Sequence, residues 1–212
     1  IQATYKKNFG IFAGDKIELI CRSSGQPFPT TTWLLNDQPI LGESQPILTI
    51  YNASLADAGD YHCLVENSVG SDKMNFKVQV YVSPVLVSNE KYVEKVSEIG
   101  HKLVLPCEIT TQVYPLPTFT WLFNLSPIEK DDTSIYMTND NSLVIQKTDI
   151  STQGLYTCIV ENIAGKEVIK YQISVVERPT ARIIPGGSKS DDPRGLTKLE
   201  KENLYLTCEV SG

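Results

Sequence analysis

The sequence predicts an all-β chain: two β-sandwich units in tandem, followed by the truncated start of a third. Three observations carry that reading. Apolar residues alternate with period two in many short runs, turn-forming residues separate the runs, and the pattern recurs after roughly 90 residues. No segment sustains a 3.6-residue apolar period with caps, so no long helix is expected. Many short strands with evenly spaced turns and no helices pack as a sandwich.

The first unit reads GDKIELIC (14–21), TTTWLLND (30–37), ILTI (47–50) and DAGDYHCLVEN (57–67). Ile17, Leu19 and Cys21 share one strand face, as do Tyr61, Cys63 and Val65, and then Phe76, Val78 and Val80. The second unit repeats these blocks as GHKLVLPC (100–107), TFTWLFN (118–124), SLVI (142–145) and TQGLYTCIVEN (152–162). Here Leu103, Leu105 and Cys107 align, then Tyr156, Cys158 and Val160, then Ile169, Tyr171, Ile173 and Val175. Turn residues break the runs at Gly25-Gln26-Pro27, Asn36-Asp37, Ala58-Gly59, Asn139-Asp140-Asn141 and Gly165. A third block, KENLYLTCEVSG (201–212), alternates through Leu204, Leu206 and Cys208 and runs out. The expected units are residues 1–82, 83–178 and 179–212. The joints at 82–84 and 177–179 are short and carry Pro84 and Pro179, which favours a stiff, extended pair of units. PGGSKSDDPRG (185–195) reads as a flexible loop.

Composition narrows the function. With 41% hydrophobic and 21% charged residues among 212, the chain is ordinary globular material. Net charge is −6, and lysine and arginine form no run of four, which argues against nucleic acid or an anionic membrane as the main partner. The five cysteines contain no C-x-x-C and only two histidines accompany them, so finger- and ribbon-type zinc sites are excluded. Asp131 and Asp132 lack a calcium-ligand spacing, and no metal or cofactor is expected. Two widely spaced cysteine pairs suit disulfides in an oxidising compartment. No run of 18 apolar residues exists and Ile1 opens no signal peptide, so the chain reads as an excised piece of a longer protein. Any membrane link would lie in a missing part of that parent.

The quoted residues resemble the immunoglobulin superfamily. Each unit has a Cys, then a Trp, then a second Cys with a Tyr two places before it: Cys21, Trp33, Tyr61 and Cys63, then Cys107, Trp121, Tyr156 and Cys158. The resemblance implies Greek-key sandwiches, each with a cross-sheet disulfide (Cys21 to Cys63, Cys107 to Cys158) packed on its buried tryptophan beside a tyrosine corner. Closing a loop of about 43 residues this way removes roughly 4 kcal/mol of denatured-state chain entropy. The D-x-G-x-Y-x-C pattern of the first unit (Asp57, Gly59, Tyr61, Cys63) and the VENSVG and VENIAG runs are similar to the I-set subclass, found in neural adhesion molecules, receptor ectodomains and hemicentin-like matrix proteins. Thr152 stands where the pattern has Asp, which puts a carboxylate contact there in doubt. The shorter stretch between Trp33 and Cys63 implies a short edge in the first unit. Cys208 is expected to be half of a disulfide, unpaired in this fragment.

Candidate functional residues are few. Two sequons, Asn52-Ala53-Ser54 and Asn124-Leu125-Ser126, fall in predicted turns and are candidate glycosylation sites. His62 points out from the Tyr61/Cys63 face and His101 precedes a strand; neither joins a nucleophile, so no catalytic residue is expected and the chain is read as no enzyme. With Trp33 and Cys63 inward, Leu34 and Leu64 point outward, as do Leu122 and Ile159 in the second unit, giving each a small apolar stripe on the sheet through which immunoglobulin domains often pair. The expected function is an extracellular protein-binding module of an adhesion or matrix protein, secreted or cell-surface, binding itself or another protein and no small-molecule substrate. The alternative is a fragment of a receptor or secreted antagonist that captures a growth factor or guidance cue. A muscle-type cytoskeletal element fits less well, because a reducing cytosol disfavours disulfides.

Overall fold

The computed structural model describes residues 8–128, 134–185 and 206–211. In the first unit the strands are β1 (Asn8–Phe12), β2 (Ile17–Ile20), β3 (Thr30–Leu35), β4 (Gln38–Pro39), β5 (Ile47–Ile50), β6 (Gly59–Asn67) and β7 (Gly70–Tyr81). A single 3-10 turn, Leu55–Asp57, leads into β6. The larger sheet has the order β1-β7-β6-β3-β4, and β2 pairs with β5 in the facing sheet. The second unit repeats this with β8 (Tyr92–Glu98), β9 (Leu103–Leu105), β10 (Thr118–Phe123), β11 (Ser126–Pro127), β12 (Ile135–Met137), β13 (Leu143–Ile145), β14 (Gly154–Asn162) and β15 (Gly165–Val176). Its sheets run β11-β10-β14-β15-β8 and β12-β13-β9. A last antiparallel pair, β16 (Thr180–Pro185) with β17 (Leu206–Ser211), sets Cys208 opposite Ile183. Of the loop expected at 185–195, Pro185 instead ends β16, pairing with Leu206; its remaining residues and Leu204 lie outside the described residues.

Each core forms where the alternation places it. Ile17, Leu19, Cys21, Trp33, Leu48, Tyr61, Cys63, Phe76, Val78 and Val80 are buried together in the first unit. Leu105, Cys107, Trp121, Leu143, Ile145, Tyr156, Cys158, Val160, Ile169, Tyr171 and Ile173 are buried in the second. The disulfides are Cys21–Cys63 and Cys107–Cys158. Trp33 sits across the strand pair from Cys63, and Trp121 from Cys158. Each indole N–H is satisfied by a loop carbonyl, Gln45 at 2.8 Å and Asn141 at 3.0 Å, as a buried indole requires. The short edge expected in the first unit is there: its chain passes from β4 to β5, whereas the second unit inserts β12.

The edges of the larger sheets carry parallel pairs. β1 runs beside the end of β7 from Asn8↔Lys77 to Phe12↔Tyr81, and β8 beside β15 from Tyr92↔Lys170 to Glu98↔Val176.

Candidate protein-binding faces

The frame under each face is set by the turn before β6 or β14. Tyr61 and Tyr156 hydroxyls each donate at 2.8 Å to the carbonyl four residues back, on Asp57 and Thr152, forming the expected tyrosine corners. Burial, and then the nearby Asp57 carboxylate, push Tyr61 up to about 12; burial and Asp149 raise Tyr156 further. In the first unit the Asp57 carboxylate accepts from the Ser54 N–H and hydroxyl, both at 2.8 Å. In the second the roles trade places. Asp149, three residues before Thr152, accepts from the Ser151 and Thr152 N–H groups at 2.8 and 3.1 Å, while the Thr152 hydroxyl takes the Asp149 N–H at 3.0 Å. The carboxylate missing at position 152 is thus supplied from the other end of the same turn.

These corners orient β6 and β14, whose alternate residues face out. Leu34 and Leu64 are partly buried and belong to neither core, and so are Leu122 and Ile159. The register joins them into unlike faces. In the second unit Ile159 lies between Thr120 and Val168, and Leu122 is in line with Thr157, Lys170 and Tyr92. In the first unit Leu64 lies between Thr32 and Lys73, and Leu34 is in line with His62 and Asn75. Val168 was not among the residues singled out from sequence; only the pairing of β15 with β14 places it on the stripe. His62 is held by its neighbours: Nδ1 lies 2.8 Å from the Asn75 Oδ1 and Nε2 3.3 Å from the Asp37 Oδ1, with Lys73 3.8 Å from the same Asp37 oxygen. The first face is therefore polar at its rim and the second more apolar.

Both sequon asparagines are exposed and occupy left-handed backbone, Asn52 at φ 57° and Asn124 at φ 46°. Asn124 has a structural task as well. Its Oδ1 accepts the Leu155 N–H at 2.9 Å and its carboxamide packs on Gly154. Asn36, which is in no sequon, does the same in the first unit through the Asp60 N–H at 3.0 Å, against Gly59.

The joint between the units is hydrogen-bonded. Val82 and Tyr114 exchange main-chain bonds of 2.7 and 3.2 Å, and Tyr114 stacks on Tyr81. Asn162 donates to the Val82 and Pro115 carbonyls at 2.8 and 2.9 Å, while its Oδ1 accepts the Ala164 and Gly165 N–H groups. Among the described residues no cluster of His, Cys, Asp and Glu is arranged to hold a metal ion, and no helix is long and apolar enough to cross a membrane.

Comparison with known proteins agrees with this geometry. The profile of the immunoglobulin I-set domain matches residues 2–80 and 89–175. Human hemicentin-1 is 30% identical over 95% of the chain, and human immunoglobulin superfamily member 10 is 27% identical over 97%. The chain spans only 4% and 8% of those relatives' own length. Among solved structures, the N-terminal four Ig domains of Dscam1 superpose with a TM-score of 0.64 at 18% identity, over 80% of this chain and 43% of that one. With two profile matches that each span a disulfide, its tryptophan and a tyrosine corner, the chain belongs to the immunoglobulin I-set family, as a tandem of two such domains.

Proposed function

We propose that the chain is an extracellular protein-binding segment of an adhesion or matrix protein, and that its main contact surface is the outward face of the second unit's larger sheet. The observation that carries this is the stripe of Leu122, Ile159 and Val168, which faces away from the core with Tyr92 exposed at its margin. Leu34 and Leu64 on the first unit form a smaller, more polar counterpart. The relatives of adhesion and matrix type support the reading, and two disulfides suit an oxidising compartment. The units are taken to divide at 82/83 and 178/179, with Cys208 pairing inside a third domain and glycans carried at Asn52 and Asn124. The tandem works by presenting faces at a fixed spacing, with no chemistry of its own.

Bead aggregation and pull-down with the oxidised, glycosylated tandem test this. Leu122→Glu with Ile159→Glu is expected to abolish capture while leaving the fold intact by circular dichroism. Leu34→Glu with Leu64→Glu is expected to weaken it less. Full capture by the folded Leu122→Glu/Ile159→Glu chain would refute the assignment of the face.

A further inference from the structure

The two units treat one sheet edge differently. In the second unit β13 pairs with β9 on one side and with β12 on the other. The β12 ladder centres on Val144 opposite Tyr136. It is flanked by the Gln146 N–H to the Ser134 carbonyl at 2.8 Å and the Thr138 N–H to the Ser142 carbonyl at 2.9 Å. In the first unit β5 takes the place of β13. Ile50 pairs with Ile17 as Ile145 pairs with Leu103, so Ile47, Thr49 and Tyr51 correspond to Ser142, Val144 and Gln146.

The main-chain groups on this edge are open. The Pro46 carbonyl takes the Cys21 N–H at 2.7 Å, so even-numbered residues of this strand point their main-chain groups at β2. By the alternation of an antiparallel ladder, the N–H and C=O groups of Ile47, Thr49 and Tyr51 point the other way. Among the described residues, no strand and no hydrogen bond takes them. Apart from its shortness the strand has little to guard it: ILTI carries no charge and no proline, and the Ile47 and Tyr51 side chains are 46% and 75% exposed.

We propose that this edge joins a second copy of the chain, β5 to β5, in an antiparallel pair about a two-fold axis. The free groups are self-complementary in that arrangement. Thr49 lies opposite Thr49 of the other copy and the two exchange both main-chain bonds. Each Tyr51 N–H reaches the opposing Ile47 carbonyl. That is the pattern β12 makes on β13 in the second unit, supplied in trans. Ile47 and Tyr51 then meet across the strands on the outer face, an aromatic and β-branched pair of the kind that stabilises sheets. The Asn52 side chain turns away from this edge. Its Oδ1 lies 3.8 Å from where a Cβ on Gly14 would stand, on the β2 side and away from the open edge. This surface is separate from the sheet face proposed above, and either can fail without the other.

Sedimentation velocity over a concentration series tests it on the intact chain. The expected result is a concentration-dependent dimer that Thr49→Pro abolishes, because that change removes an N–H that β2 does not use. Thr49→Lys, which sets like charges opposite each other on the axis, is expected to do the same and serves if the proline variant fails to fold. Ile47→Glu and Tyr51→Lys are each expected to weaken self-association by about tenfold, and a mixture of the two variants to regain it through the new charge pair. A chain that stays monomeric throughout the series would overturn the proposal. So would folded Thr49→Pro and Thr49→Lys variants that dimerise like the parent, or a dimer lost instead in the Leu122→Glu/Ile159→Glu variant.

Discussion

Asn162 and Asn67 provide a matched pair for measuring how firmly the two units are coupled. Asn67 donates to the Pro27 carbonyl at 2.7 Å and accepts the Val69 and Gly70 N–H groups at 2.9 and 3.1 Å. Asn162 makes the same set in its own unit and adds one bond, to Val82 across the joint. Each bond contributes about 1 kcal/mol net, less where the freed group can turn to water. Asn67→Ala should then cost about 1–2 kcal/mol, and Asn162→Ala about 2–3 kcal/mol. The excess of about 1 kcal/mol belongs to the joint. Denaturant unfolding with the disulfides intact gives the totals. Hydrogen exchange locates the excess: the Val82 and Tyr114 amides, which bond each other's carbonyls, should exchange roughly fivefold faster in Asn162→Ala and unchanged in Asn67→Ala. Equal costs for the two substitutions, with no change at those amides, would refute the coupling.

Gly59→Ala should destabilise the first unit by about 1–3 kcal/mol, because a Cβ would stand 2.6 Å from the Asn36 Oδ1; Gly154→Ala should cost more, since Gly154 also holds φ 152°, and thermal melts of the two variants decide the order. Tyr61 favours its neutral form when folded, with a pKa near 12 against 10.0 unfolded, so its contribution is whole below pH 10 and is lost as pH rises toward 12; urea midpoints across that window should fall less steeply in Tyr61→Phe. Four of the five cysteines should resist a thiol reagent in the native chain, and reducing either disulfide should cost its unit about 4 kcal/mol, checked by thiol titration beside denaturation. Peptide mapping of chain from a secretory host should find glycan at Asn52; loss of the Asn124 glycan with Asn124→Gln should come with a destabilisation that Asn52→Gln does not show, because only Asn124 holds the Leu155 N–H.

What was legible in the sequence followed from period-two burial, which any half-buried strand must show. Both cores formed where alternation put them, and the tryptophans and tyrosine corners stand as the resemblance to immunoglobulin domains implied. The parallel edge strands were harder to see. β1 and β8 bury little of themselves, so YVEKVSE reads as mixed polar sequence and its pairing depends on where β15 happens to lie. The trade between Asp149 and Thr152 escaped because the motif is written for one position, whereas the turn needs a carboxylate at either end. Val168 joined the stripe through register, which sequence does not state. Asn124 looked like a sequon alone, although Asn36 at the same place in the first unit, outside any sequon, marks a structural asparagine. The hydrogen bonds at the joint could not be inferred, since Asn67 and Asn162 each close a Val-Glu-Asn run and, among the described residues, only Asn162 reaches across to the other unit.

The parallel edge pairs also determine how each unit answers a pull on its ends. In a parallel pair the entering strand is drawn backward while the leaving strand is drawn forward, so tension slides β1 along β7, and β8 along β15. The bonds of the ladder are then strained together, unlike a hairpin, which peels open one bond at a time. Among the described residues the pairing covers five of β1 and seven of β8, and on those ladders the first unit should be the first to yield. Once it does, the segment between Cys21 and Cys63 stays closed by its disulfide, and the unit lengthens only by the chain outside that loop. Each unit should therefore extend under load with a stiff onset and a short, covalently limited stroke.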